Sequence, residues 1–313
     1  MAADPTLLRP LGIGDLLDEL FAIYRRRFRT FVGISAVVQI PIALLSLPHA
    51  TTTPGYYLFA VLSGQANSLA NNLADASRQS SSVASVLAVL IVVLAVVGSV
   101  LELAAITAAT SAYYVGEQPS VERSYRQAVG RFWPLVRLAL LLALVFTGLV
   151  LLAVVPFVVP PLACLSFPAA VAVGVYVVVS WSLAPVALVL EDRPGALPAL
   201  RRAHRLVAGA WWRTFAVLVC LAVLLAVLQL SASTLSELVG VGLQAILAPA
   251  ATAQPTWIAV TVSLLASLMA TLLGPLFYIG LSLLYFDRRV RVEGYDLAVQ
   301  ARALRQAAPT DAA

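Results

Sequence analysis

The residues of this chain best suited to chemistry are its acids, because several stand where an acid is costly. In SWSLAPVALVLEDRPGALPALRRAHRLVAGAWWRTF, residues 180–215, an apolar run ends at Glu191 and Asp192, and Arg193, Arg201, Arg202, Arg205 and Arg213 follow. A carboxylate in hydrocarbon costs several kcal/mol, so the acids mark where an apolar helix meets water. A helix that ends there presents its partial negative pole, where acids are disfavoured unless paired, and the arginines are the partners at hand. The C-terminal run from Asp287 repeats the pattern, alternating Asp287, Arg289, Arg291, Glu293 and Asp296. Together these predict an ionic clamp of Glu191, Asp192, Arg201, Arg205, Asp287, Arg289, Arg291, Glu293 and Asp296 at the inner ends of membrane helices. The competing reading of the same arginines is a site for an anionic ligand.

A second candidate is Glu102, inside the apolar run 83–114, with Gln39, Gln229 and Arg137 as further polar groups at membrane depth. An acid inside a span points into the protein or a wet cavity, and marks a functional site by default. The alternative is a simple pairing with a cation such as Arg137. His49 and His204 stand too far apart in the expected topology to share a metal, and Cys164 and Cys220 lie in apolar runs without metal-type spacing. No phosphate loop, H-E-x-x-H or G-x-S-x-G occurs, so neither a cofactor nor a catalytic group is expected.

The elements that must carry these residues follow from composition. At 61% hydrophobic and 11% charged the chain is far from soluble usage, and most of it belongs in lipid. All 20 basic residues are arginine, without the interleaved aromatics of a nucleic-acid reader. The expectation is an all-α integral membrane six-helix bundle, a single polytopic domain over residues 1–305. Its spans fall at about 31–47, 83–113, 135–155, 162–190, 215–235 and 257–286, with a disordered tail at 306–313. Residues 1–27 lack the form of a cleaved signal peptide, so the first apolar run is kept as a span. Pro156, Pro160 and Pro161 mark a hairpin, Pro41, Pro168, Pro185 and Pro275 mark bends, and a weak amphipathic pattern runs through Leu58, Leu62, Leu69 and Leu73.

Leu16, Leu20, Ile23 and Phe28 recur at helical spacing, with acids early and arginines late. This predicts a cytoplasmic amphipathic helix lying in the membrane interface, as do residues 117–131 and the basic segment that follows Asp192 within 180–215. The topology leaves nineteen arginines inside and Arg78 alone outside, which orients the chain in the cytoplasmic membrane with both termini inside. YRRRFRTF, AVGRFWPL and AGAWWRTF each lead from an arginine-bearing helix into a span. Three helix-plus-hairpin repeats would build the chain; equally, any inner-interface helix looks this way.

LRPLGIGDLLDELFAIYRRRF, APVALVLED with LRRAHRLVAGAWWRTF, and LLYFDRRVRVEGYDL resemble the membrane-domain family of glycerophosphoryl diester phosphodiesterases over nearly the whole chain. The tail is the most specific part. The resemblance singles out Asp15, Tyr24, Arg25 and Phe28; Glu191, Arg201, Leu206, Gly209 and Trp212; and Asp287, Arg289, Arg291, Glu293, Gly294 and Asp296. Ala203 and His204 stand where the family usually has a serine. In relatives that are enzymes a separate soluble barrel does the chemistry, and no stretch here approaches the roughly 250 residues such a barrel needs.

The expected role is therefore a non-catalytic membrane protein that contacts or organises lipids, with anionic headgroups at its inner face, or a membrane partner protein. Nucleic acid is not expected as a partner. The rival is a transporter or channel for a small solute or lipid, with a polar cavity near Glu102. Topology decides much of this. A single cysteine placed between Glu191 and Arg213 in a cysteine-free background should react with an impermeant maleimide only after lysis. Labelling of intact cells would invert the orientation.

Overall fold

The computed structural model describes residues 12–47, 82–154, 160–191, 195–247 and 255–293. Every element among them is helical: α1 (Ile13–Arg26), α2 (Phe28–Ser46), α3 (Ser82–Tyr114), α4 (Val121–Gly130), α5 (Phe132–Val154), α6 (Pro160–Trp181), α7 (Ala184–Leu190), α8 (Ala196–Ala208), α9 (Trp211–Leu247) and α10 (Thr256–Glu293). Six segments are long and apolar enough to cross a membrane: Phe28–Ser46, Leu90–Tyr114, Phe132–Ala153, Ser166–Leu190, Trp211–Leu247 and Thr256–Glu293. The pattern at Leu58–Leu73, Arg78, Pro156, Asp192, Asp296 and the tail 306–313 lie outside the described residues.

Contacts divide the chain into two compact units. The first comprises residues 1–31, 100–222 and 276–313, and the second 32–99 and 223–275. In the first, α5 packs on α6, and α8 lies against α5, α6 and α7.

Two boundaries differ from the sequence expectation. The fourth span is interrupted at Ser182 and Leu183, where α6 stops and α7 starts with Pro185 in its first turn. Proline lacks the N–H that would reach back one turn and its ring fits the opening turn of a helix, so the chain restarts rather than bends. Pro168, by contrast, is carried inside α6 without a break. The fifth span was expected to end near Leu235, yet α9 continues to Leu247. Residues 236–247 hold one charge, Glu237, and no proline, so nothing interrupts the backbone ladder before Pro249.

Several hydroxyls along the apolar helices are satisfied locally. Thr110 donates to Ile106 O at 2.8 Å, Ser236 to Ala232 O at 2.9 Å and Thr271 to Ser267 O at 2.8 Å. A Ser or Thr bonded one turn back carries no loose polar group into lipid. Between α3 and α4 the chain reverses at Gly116, φ 83°. Glu117 N–H reaches Ala112 O at 2.9 Å and Gly116 N–H reaches Tyr113 O at 3.1 Å, the paired bonds that close a helix through a left-handed glycine.

The amphipathic segments use their apolar faces within the protein. Leu16, Leu20 and Ile23 of α1 are fully buried, as are Ala203, Leu206 and Val207 of α8. The sequence placed the face of α1 in the lipid interface; within the first unit Leu16, Leu20 and Ile23 of that face are buried, and Ile13 and Phe21 of α1 are exposed. Each of the three arginine-bearing segments does lead through a short break into a long helix. The breaks fall at Arg27, at Arg131 and at Gly209 with Ala210. The carbonyls of Arg27, Arg131 and Ala210 then accept from Phe31, Leu135 and Thr214 in the first turn beyond.

Close approach fixes two glycines. A Cβ on Gly280 of α10 would lie 2.8 Å from Leu221 Cδ2 and 3.0 Å from Leu20 Cδ1, within the first unit, and a Cβ on Gly98 of α3 would collide with Val38 Cγ1 in the second. Small residues let helices meet where lipid offers no driving force for association. Gly280→Val and Gly98→Val should each cost about 1–3 kcal/mol by overpacking. Gly148→Ala, with nothing within 4 Å, should leave the melting temperature in detergent unchanged or raised.

Candidate functional site

Glu191 follows the last residue of α7, and its N–H still bonds Ala187 O at 2.9 Å while its backbone turns extended. That turn brings its carboxylate to two donors. Oε1 accepts from Arg202 Nε of α8 at 2.7 Å and from the Tyr285 hydroxyl of α10 at 2.7 Å. The far side of the Arg202 guanidinium pairs through Nη1 with Glu293 Oε1, and Glu293 Oε2 receives Arg289 Nε at 3.2 Å. The row Tyr285, Glu191, Arg202, Glu293, Arg289 therefore ties α7, α8 and α10 together. Side-chain exposures of 15% for Glu191 and 16% for Arg202 keep water from competing. The hydrogen bond Arg202 donates to Glu293, and behind it that to Glu191, raises the Arg202 pKa above its ordinary value although burial pulls the other way, so this cation stays charged at any working pH.

A second group centres on Asp287, whose side chain is wholly buried. It pairs with Arg213 at 3.2 Å and with Arg291, one turn on, at 2.9 Å. Two further arginines bond helix-end carbonyls. Arg288, 4% exposed, donates Nε and Nη2 to Leu206 O at 3.0 and 2.8 Å near the end of α8. Arg131, held at the break between α4 and α5, donates to Leu188 O at 2.8 Å and to Glu191 O at the end of α7. The last carbonyls of a helix have no partner within it and carry its negative pole, so a guanidinium there answers both needs.

Of the residues expected in the clamp, the structure brings together Glu191, Asp287, Arg289, Arg291 and Glu293. Arg201 and Arg205 point away and are exposed, and the cation between the two glutamates is their neighbour Arg202. Sequence reasoning also missed Arg131, Arg213, Tyr285 and Arg288 as members. The i, i+3 and i, i+4 spacing of α8 held the signal: Ala199, Ala203 and Leu206 define its buried face, and Arg202 flanks that face while Arg201 and Arg205 do not.

Glu102 is 2% exposed on α3. Its charge, after burial, is the second cause that pushes the Tyr125 phenol of α4 above its usual value, which places the acid near that helix. Arg137 is exposed on α5, and no ion pair among the described residues joins it to Glu102. Gln39 and Gln229 belong to the second unit, half-buried and exposed respectively. No cluster of three or more metal-ligating side chains occurs among the described residues.

A chain whose described elements are all helical, with six helices among the described residues able to cross a membrane and arginine-rich ends laced by ion pairs, is of the polytopic membrane class. The chain belongs to the family described as a domain of unknown function, DUF8558, which matches residues 1–279. That match carries no link to the membrane domain of glycerophosphoryl diester phosphodiesterases. No curated protein and no solved structure matches the chain.

Removing one partner from a buried pair leaves a charge stranded. Arg202→Met should destabilise the protein by about 2–4 kcal/mol, reduced somewhat by partial exposure. Arg126→Met, whose pair with Glu122 is open to solvent, should shift stability by less than about 1 kcal/mol. Thermal melting of both variants in one detergent checks the contrast.

Proposed function

We propose that this is a non-catalytic integral protein of the cytoplasmic membrane, both termini inside, that contacts and organises anionic lipid at its arginine-rich face, alone or with a membrane partner. The observation that carries this reading is a division among the arginines. Arg131, Arg202, Arg213, Arg288, Arg289 and Arg291 are bound to acids or carbonyls of the protein. Arg25, Arg29, Arg201 and Arg205 are exposed and have no ion-pair partner among the described residues. Cations left over after the fold has taken what it needs are what an anionic leaflet attracts, at about 1 kcal/mol each near the surface.

A second reading, solute transport past Glu102, is favoured by the depth of that acid's burial. It requires flux in proteoliposomes that is lost on Glu102→Gln, and absence of flux would remove it.

The lipid reading is tested in nanodiscs holding equal phosphatidylglycerol and phosphatidylcholine, with spin-labelled lipid reporting the immobilised shell. The anionic lipid should be enriched there by about fivefold for each exposed arginine engaged. Equal immobilisation of the two lipids would sink the reading.

A further inference from the structure

On the first unit, Leu141 and Val145 of α5, Trp181 at the end of α6, and Leu197 and Leu200 of α8 floor an open cleft of about 770 Å³. Arg201, His204 and Arg205 of α8 form its polar rim. Neither arginine has an ion-pair partner among the described residues, so the rim carries two uncompensated positive charges over an apolar trough. That combination suits an amphiphile with an anionic head.

Two independent features set the depth. Tyr176 meets the His204 ring at 6.5 Å and stacks on Trp211 at 6.2 Å, and Trp211 stacks in turn on Phe215 at 5.4 Å. Trp212 and Trp133 stand 75% and 68% exposed at the starts of α9 and α5. Amphipathic rings gather at headgroup level, so the rim lies where phosphates lie. Val145 is about 18 Å along α5 from Trp133, close to the roughly 15 Å depth of one leaflet's hydrocarbon.

We infer that this cleft holds one anionic phospholipid, its phosphate against Arg201 and Arg205 and one acyl chain in the trough floored by Leu141, Val145 and Trp181. The inference rests on the lipid-contacting reading and narrows it from a face to a single site. A second apolar cleft of about 700 Å³ shares Trp181 and is lined by Leu142, Phe146 and Val178, which gives the other chain a surface beside the first. Guanidinium groups four residues apart on one helix face form a fork for phosphate oxygens, and the apolar floor distinguishes a lipid from a soluble anion.

The test is native mass spectrometry of the full chain in detergent, offered phosphatidylglycerol and phosphatidylcholine together. One phosphatidylglycerol should survive delipidation, and Arg201→Gln with Arg205→Gln should weaken its retention about thirtyfold. Both arginines are exposed, so the melting temperature should not move. Val145→Trp should fill the trough and release the lipid; if that variant does not fold, Leu197→Glu at an exposed position of the floor, which sets a carboxylate one turn from Arg201, takes its place. Retention of the lipid by the double glutamine variant overturns the site. Displacement of the lipid by an equal concentration of sn-glycerol 3-phosphate also overturns it, in favour of a free anion. These outcomes are separate from the nanodisc shell: loss of the site with shell enrichment intact leaves the broader reading standing, and a retained lipid without shell enrichment does the reverse.

Discussion

Glu191, Arg202 and Glu293 lie in a row at 15%, 16% and 28% side-chain exposure, on three separate stretches of chain, and the first unit depends on their meeting. Each is a charge largely withdrawn from water, and none is tolerable there without the others. Arg202 sits between the two acids because α8 presents it beside the apolar face of Ala199, Ala203 and Leu206, which packs the helix in place. Tyr285 completes the hydrogen bonding of Glu191 from α10. The apolar packing brings the elements near; the ionic row decides how their ends register.

Helix ends impose the same constraint in a second form. α7 and α8 are short, and their last carbonyls have no partner within the helix. Arg131 and Arg288 fill that role from elsewhere in the sequence, reaching Leu188 and Leu206. An arginine suits this better than a lysine would, since its planar group donates in two directions at once, as Arg288 does through Nε and Nη2. The absence of lysine from the whole chain acquires a structural meaning at these positions.

Beyond the laced ends the long helices show lipid-facing character. In the first unit Val171, Val175 and Val178 of α6 and Val219 of α9 are exposed, and in the second so are Val223 and Val227 of α9, apolar groups suited to lipid. The amphipathic segments behave differently, burying their apolar faces in protein and turning Arg25, Arg29, Arg201 and Arg205 outward. Basic residues thus serve two ends: those on the packed side hold the fold, and those on the open side are left for the anionic surface the proposal assigns them.

The helical class, the number of apolar runs and the grouping of acids with arginines at Glu191 and Asp287 were legible in the sequence, because hydropathy and local charge order act over one or two turns. Pro185 was read as a bend and is a break; the fifth span was read as ending near Leu235 and its helix runs to Leu247. Both errors came from judging composition where the backbone hydrogen-bond ladder decides. Which arginine enters the clamp was signalled by the periodicity of α8 alone, since Arg202 flanks the face of Ala199, Ala203 and Leu206; what Arg202 meets there was set by the packing of α8 against α5, α6 and α7. Pairings such as Arg131 with Leu188, or Tyr285 with Glu191, join residues far apart in the chain. Residue type sets what a side chain is able to bind, but long-range packing sets what stands within hydrogen-bond reach, and that part belonged to the tertiary structure alone.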